Sequence, residues 1–206
     1  MATCKIIRSL FMAVFVMSLV PLGAAENFRA GTADAYEAKQ SQAGVTLAVK
    51  PYHTELLEKE IFSKSKPNKF GIMPVLVVIT NLGDAPIKLV EMHARYVPAR
   101  STEGVNAMTA EDLFFYNPKG HAPKKQKLPG LGNTITKVKK GPLSRPEIAE
   151  REFSAPVLPP GETASGFFYF NVGVGGDPLT GASLYVAGMT NMSTGQPLFY
   201  FEVPLD

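Results

Sequence analysis

Ile72-Met73-Pro74-Val75-Leu76-Val77-Val78-Ile79 is apolar on both alternations and rich in β-branched residues. Successive side chains of a strand point to opposite faces, so a run without a polar phase reads as a strand buried on both sides. Pro74 restricts its beginning, since proline cannot donate to a ladder. This stretch is expected at the centre of the core. Asn81-Leu82-Gly83-Asp84 supplies turn chemistry after it. Residues 87–97 then return as a second long strand, whose apolar phase slips from Ile87 and Leu89 to Val90, Met92, Ala94 and Tyr96. The slip predicts a bulge near Leu89.

Upstream, Val45, Leu47 and Val49 alternate with Thr46, Ala48 and Lys50, the period of a half-buried strand that Pro51 ends. Thr54 is placed to cap a short helix over residues 55–62, with Leu57 and Ile61 on one side and Glu55 spaced to pair with Lys59. Residues 26–43 are small and polar without a hydrophobic period, and are expected as a flexible lead-in carrying at most a short helix near 35–39. Downstream, Thr109-Ala110-Glu111-Asp112 has the spacing of a capping box, and Ser144-Arg145-Pro146-Glu147 can cap another short helix. Leu158-Pro159-Pro160-Gly161-Glu162-Thr163 is a turn leading into Gly166-Phe167-Phe168-Tyr169-Phe170-Asn171, aromatic on both faces. Residues 184–187 form the next strand. Ser193-Thr194-Gly195-Gln196 then turns into a last strand with Phe199, Phe201 and Val203 on one face.

Between Asp112 and Glu147 there is no acidic residue, while eight basic ones are interleaved with glycine and proline. This basic insertion, at about residues 117–146, reads as a mobile or loosely packed loop. Its positive field makes Lys124, Lys125, Lys127, Lys137, Lys139 and Lys140 the candidate anion-binding residues. No aromatic interleaves the lysines between Lys119 and Lys140, which disfavours nucleic acid as the partner.

At the other end of the chain, Lys5 and Arg8 precede an apolar run over residues 10–22 that closes on Gly23-Ala24-Ala25. That is the pattern of a secretory signal peptide over residues 1–25, cut before Glu26. The expected location is periplasmic or secreted. The apolar run is shorter than the about 20 residues a membrane-spanning helix needs, and none like it recurs later, so no stable membrane span is expected. Lys5 and Arg8 are the only charged residues of the leader, and its removal takes the net charge from +3 to +1. The sole cysteine of the 206 residues, Cys4, leaves with it. Disulfides, cysteine-bound metals and cysteine nucleophiles are thereby excluded from the mature chain.

Catalytic patterns are weak. His53, His93 and His121 have no histidine or carboxylate partner at metal-ligand helical spacing, and His93 falls with Glu91 and Arg95 on the polar phase of its strand. Ser165-Gly166 is the nearest fragment to a Gly-x-Ser-x-Gly elbow, but an aromatic strand rather than a helix follows it. The carboxylate pairs Glu58 with Glu60 and Glu111 with Asp112 fall on expected exposed helix starts or faces. Gly173-Val174-Gly175-Gly176-Asp177-Pro178 lacks the Gly-Lys-Ser/Thr ending of a phosphate loop and reads as a strand connection. Asn191-Met192-Ser193 fits a glycosylation sequon and equally a hairpin turn. The aromatic runs at 167–170 and 199–201 read first as core and cross-strand packing, second as a sugar or peptide platform.

The order of the turn at Asn81-Leu82-Gly83-Asp84-Ala85-Pro86, the late Pro160-Gly161-Glu162 turn, and the closing segments Leu184-Tyr185-Val186-Ala187-Gly188 and Phe199-Tyr200-Phe201-Glu202-Val203-Pro204 resembles exported bacterial immunoglobulin-like domains of unknown function. The resemblance covers roughly residues 45–203 without the insertion. It implies a sandwich and an envelope location, and carries over no catalytic residue. The chain is thus expected as an all-β, immunoglobulin-like antiparallel β-sandwich over residues 44–206, with short helices on its connections and the basic loop inserted. The expected role is non-enzymatic, a binding or structural interaction module of the cell envelope without cofactor or metal. Its partner would be an envelope protein, docked by strand addition, or an acidic polymer held by the basic loop; a hydrolase with dispersed catalytic residues ranks third.

Overall fold

The computed structural model describes residues 28–99, 101, 103–118, 124–127, 134–137 and 140–206. The expected leader at 1–25 lies outside them. All ten residues of β3 (Ile72–Asn81) are buried. Its neighbours are β2 (Val45–Pro51) on one side and β10 (Thr163–Asn171) on the other, with β1 (Lys39–Gln42) beyond β2, all antiparallel. A second four-stranded antiparallel sheet runs in the order β13 (Phe201–Pro204), β11 (Ser183–Ala187), β5 (His93–Val97), β6 (Val105–Asn106). A smaller sheet joins β12 (Thr190–Asn191), β4 (Ile87–Lys88) and β9 (Val157–Leu158). The fold is all-β and sandwich-like.

Burial of β3 on both faces has a specific cause. Met73, Val75, Val77 and Ile79 join Leu184, Val186, Phe201 and Val203 of the second sheet in one hydrophobic core. The opposite phase, Ile72, Leu76 and Val78, joins Phe167, Tyr169, Ile61, Phe62, Leu113 and Ile148 in a second core. That second core is roofed by α1 (Glu55–Ile61), α2 (Ala110–Phe115) and α3 (Pro146–Arg151). The molecule is therefore three-layered: sheet, sheet, and a cover of short helices. β2 shares this environment, so residues 45–49 are buried on both phases rather than the one their alternation predicts; Thr46 is buried and bonds Ser41 at 2.8 Å.

Local chemistry sets the connections. Thr54 accepts the Leu57 N–H at 3.3 Å to start α1. Thr109 and Asp112 form the reciprocal capping box of α2, and those bonds hold the Asp112 carboxyl below its ordinary value. Asn81 is buried at the turn after β3, where its Nδ2 donates to the carbonyls of Ala85 and Leu158 and its Oδ1 accepts the Gly83 N–H. One side chain thus ties that turn to β9.

Several expectations are corrected. The lead-in is part of the sheet: residues 39–42 form β1, and Ala33 is fully buried with its N–H on Thr80 Oγ1. Its polar composition suits an edge strand, and Ala43-Gly44, both at positive φ, make the tight turn into β2. The expected short helix is a single 3-10 turn at Ala33–Ala35. The strand expected over 87–97 divides into β4 and β5, because a turn at 90–91, closed by Met92 N–H on Leu89 O, moves the chain from one sheet to another. Phe199 does not share the core face of Phe201; it is 81% exposed, ahead of the start of β13. No side chain caps α3, which begins at Pro146 instead.

Candidate functional site

The basic insertion leaves the fold at Tyr116 and returns at Gly141, where a Cβ would lie 2.2 Å from Tyr116 O, so only glycine fits. The Gly141 N–H donates to Phe114 O at 2.8 Å. Within the insertion, the expected loop contains an antiparallel ribbon, β7 (Lys124–Lys127) and β8 (Thr134–Lys137). Its register sets Lys124 opposite Lys137, Lys125 opposite Thr136, and Lys127 opposite Thr134. Alternating apolar residues are lacking here, so periodicity could not show these strands; backbone pairing alone defines them. Four of the six candidate lysines are gathered on this ribbon. Lys140 is exposed at its base, with its ammonium 5.0 Å from the centre of the Phe114 ring. Lys139 and His121 lie outside the described residues.

A cleft of about 240 Å³ opens on the helical side, lined by Phe28, Glu150, Arg151, Glu152, Ser154, Ser165, Gly166 and Phe167. It exists because residues 152–153 run alongside β10, with the Phe153 N–H on Phe167 O at 3.1 Å. Gly166 lets them approach: a Cβ there would sit 2.3 Å from Phe153 Cα. Ser165-Gly166 is thus neither an elbow nor a turn but the middle of β10. Glu152 Oε1 accepts the Ala110 N–H at 3.0 Å, and the Arg151 guanidinium lies over the Phe62 ring at 5.9 Å. Tyr169 donates to Ile148 O at 2.8 Å, and burial raises its hydroxyl pKa.

A smaller cleft of about 80 Å³ lies between His53, Asn68, Gly71 and the glycine loop at 173–178. The loop connects β10 to β11 as expected. Asp177 folds it by accepting from Leu179 N–H at 2.9 Å and from the Thr180 hydroxyl, and these bonds lower its carboxyl pKa. Tyr96 pins it with a 2.7 Å bond to Pro178 O. Asn68 of this cleft is bonded to Glu58, expected exposed and in fact fully buried. Its position three before Ile61 and four before Phe62 puts it on the buried face of α1, a signal the carboxylate pairing obscured. Its Oε2 accepts the Asn68 N–H at 2.9 Å and Nδ2 at 2.8 Å, while Oε1 has no partner. Burial raises the Glu58 carboxyl above its ordinary value, and the Asn68 bonds offset only part of this.

The remaining candidates are scattered. His93 is exposed on β5, its Nδ1 3.2 Å from Glu91 O, and Glu91 pairs with Lys88. Among the described residues no three His, Cys, Asp or Glu side chains come together as a metal-binding group. No helix there is long and apolar enough to cross a membrane. Of the aromatic runs, Phe167, Tyr169, Phe170 and Phe201 are core, while Tyr200 stacks on Tyr185 with ring centres 4.9 Å apart.

No protein-family model matches the sequence. No curated protein matches it either. A solved structure titled "X-ray structure of Northeast Structural Genomics Consortium target SoR45" aligns over 81% of this chain and 90% of its own, at 15% identity and a TM-score of 0.33. A likeness of that strength carries no argument about this chain.

Proposed function

We propose that this chain is an exported, non-catalytic binding module of the bacterial cell envelope, built on an immunoglobulin-like sandwich, and that it engages an acidic polymer through the basic ribbon. The observation that carries this reading is the register of β7 and β8, which collects Lys124, Lys125, Lys127 and Lys137 on one two-stranded element with Lys140 at its base. No carboxylate within residues 113–146 competes for them. Like charges placed close together repel, and a polyanion relieves that repulsion when it binds. Strand addition to the main sheets is less favoured, because β1 is stitched to the β13 edge by Gln40 and Gln42 and Met108 bridges to Tyr169 on β10.

The test replaces Lys124, Lys125, Lys127, Lys137, Lys139 and Lys140 together by glutamine and measures retention on a dextran sulfate column against salt. The expected result is loss of retention with a nearly unchanged melting temperature, and a wild-type interaction that weakens steeply with salt, since screening acts within about 8 Å at physiological ionic strength. Equal retention of both proteins at low salt would remove the proposal.

A further inference from the structure

We infer that the outer face of the second sheet docks an acidic polysaccharide, whose sugar rings lie on Tyr185 and Tyr200 and whose carboxylates meet Arg95. The register lines up Glu202, Tyr185, Arg95 and Asn106 in one row across β13, β11, β5 and β6. Their neighbours in sequence, among them Leu184, Val186, Tyr96 and Phe201, fill the core, and side chains of a strand alternate, so this row points away from it. Glu202 and Asn106 are exposed, Tyr185 and Arg95 half-buried. The helices roof the other main sheet, not this one. Adjacent strands lie about 4.8 Å apart, close to the length of one pyranose unit, so the row keeps pace with about three consecutive sugars. None of these residues belongs to the basic insertion, so the face and the ribbon are separate contacts.

Two features set this row apart from an ordinary solvated sheet face. Tyr200 is 50% exposed and stacks on Tyr185, with 4.9 Å between ring centres and 28° between planes, which fixes both rings and leaves an aromatic surface open. A pyranose ring has an apolar C–H face that covers such a surface while its rim of hydroxyls reaches polar side chains. The second feature is Arg95. Its Nε is buried without a partner among the described residues, and Gly104 backs it so closely that a Cβ there would lie 3.1 Å away. The guanidinium is thus held in place at a desolvation cost that no bond among those residues offsets. The sole ion pair among them is Lys88 with Glu91, and Glu202, in the same row, gives its Oε1 to the Ser183 hydroxyl at 3.1 Å. A pre-placed guanidinium beside an open aromatic ring suits a ligand with a carboxylate on its own ring, as a hexuronate has, because the planar fork of arginine matches a carboxylate. A neutral sugar would leave that charge unmet.

The test titrates the protein by calorimetry, at low ionic strength, with a galacturonate trimer and with the same trimer methyl-esterified. The acid is expected to bind about tenfold more tightly than the ester, the effect of one charge-assisted hydrogen-bonded pair. Arg95→Gln should abolish that preference. Tyr200→Ala should weaken both trimers about 3- to 10-fold, while Tyr200→Phe keeps the affinity. In the unsubstituted protein the ring-proton NMR signals of Tyr185 and Tyr200 should shift on titration, which locates the site even if a variant folds poorly. Replacing the candidate lysines of the insertion by glutamine should leave trimer binding unchanged, and retention on dextran sulfate judges the ribbon separately. Binding of neither trimer, an acid preference that survives Arg95→Gln, binding lost with the lysines, or equal binding of a triglutamate peptide overturns the inference. So does a dimer in solution that Tyr200→Ala abolishes, since a second copy of the chain would then occupy the face.

Discussion

The side-chain oxygen of Gln40 accepts the backbone N–H of Glu202 at 2.7 Å, across 162 residues of sequence. Beside it, Gln42 Nε2 donates to the carbonyls of Phe199 and Tyr200 at 3.0 and 2.9 Å. The edges of the two main sheets meet here through glutamine amides rather than through a further strand, which leaves fewer unpaired backbone groups to attract another chain.

Replacing Gln40 and Gln42 together by alanine should cost about 1–3 kcal/mol, from three hydrogen bonds at roughly 0.5–1.5 kcal/mol each with partial rescue by water. Denaturant unfolding gives the loss, and the Glu202 amide should exchange faster with deuterium. Unchanged exchange would show that the seam does not hold the edge.

Leu76→Ala and Ile79→Ala should each cost about 2–5 kcal/mol, although they lie on opposite faces of one strand. Leu76 faces the helical cover and Ile79 the second sheet. A two-layer sandwich with a solvated outer face would make one of the two nearly silent. Urea midpoints of both variants decide between the architectures.

Gly166→Ala should destabilise by about 3 kcal/mol or more, because the new methyl meets backbone atoms, Phe153 Cα and N, rather than a side chain that can swing aside. Adding Phe153→Ala should therefore give no rescue. Recovery of the melting temperature in the double variant would mean that the strand at 152–153 adapts by another route.

Two carboxylates, the buried Glu58 and the half-buried Glu147, should pull stability in opposite directions with pH. The Glu58 carboxyl is raised, so its contribution favours the fold at acidic pH, below its ordinary range, and is lost as pH rises through the shifted value. For Glu147, burial pushes the carboxyl up, but hydrogen bonds from the 63–65 turn, including Lys64 N–H at 3.0 Å, outweigh it and hold the carboxyl low. Its contribution is present above the ordinary carboxylate range and lost as pH falls through the shifted value. Melting curves from pH 3 to 8 should show wild type losing ground to Glu58→Gln as pH rises, and Glu147→Gln falling furthest behind at neutral pH. Parallel curves for all three proteins would contradict both assignments.

The stretch at 72–79 was legible because burial on both faces leaves no polar phase, and the turns at Asn81 and Gly161 because few residue types suit them. β1 was not, since Lys39-Gln40-Ser41-Gln42 makes its contribution through backbone pairing and amide side chains rather than apolar burial. β7 and β8 escaped because Lys124-Lys125-Gln126-Lys127 and Thr134-Ile135-Thr136-Lys137 carry no apolar alternation. The three-layered arrangement was half visible: apolar residues on both phases of β3 and β10 imply cover on both sides, but three helices of six or seven residues give too short a period to be recognised as that cover. In the helical-side cleft, Glu150, Arg151 and Glu152 look like ordinary helix-end charges until the chain brings Phe28 to them.

That β3 and β10 together belong to both cores has a consequence in time. β2 reaches β3 across 20 residues that include α1, but β10 arrives only after more than 80 further residues, and neither core is complete without it. Closure of so long a segment must precede the contacts that reward it, so assembly is concentrated in one late, slow event. A chain ended at residue 160 should accordingly show no cooperative melting transition, because everything made before β10 is still waiting for its partner.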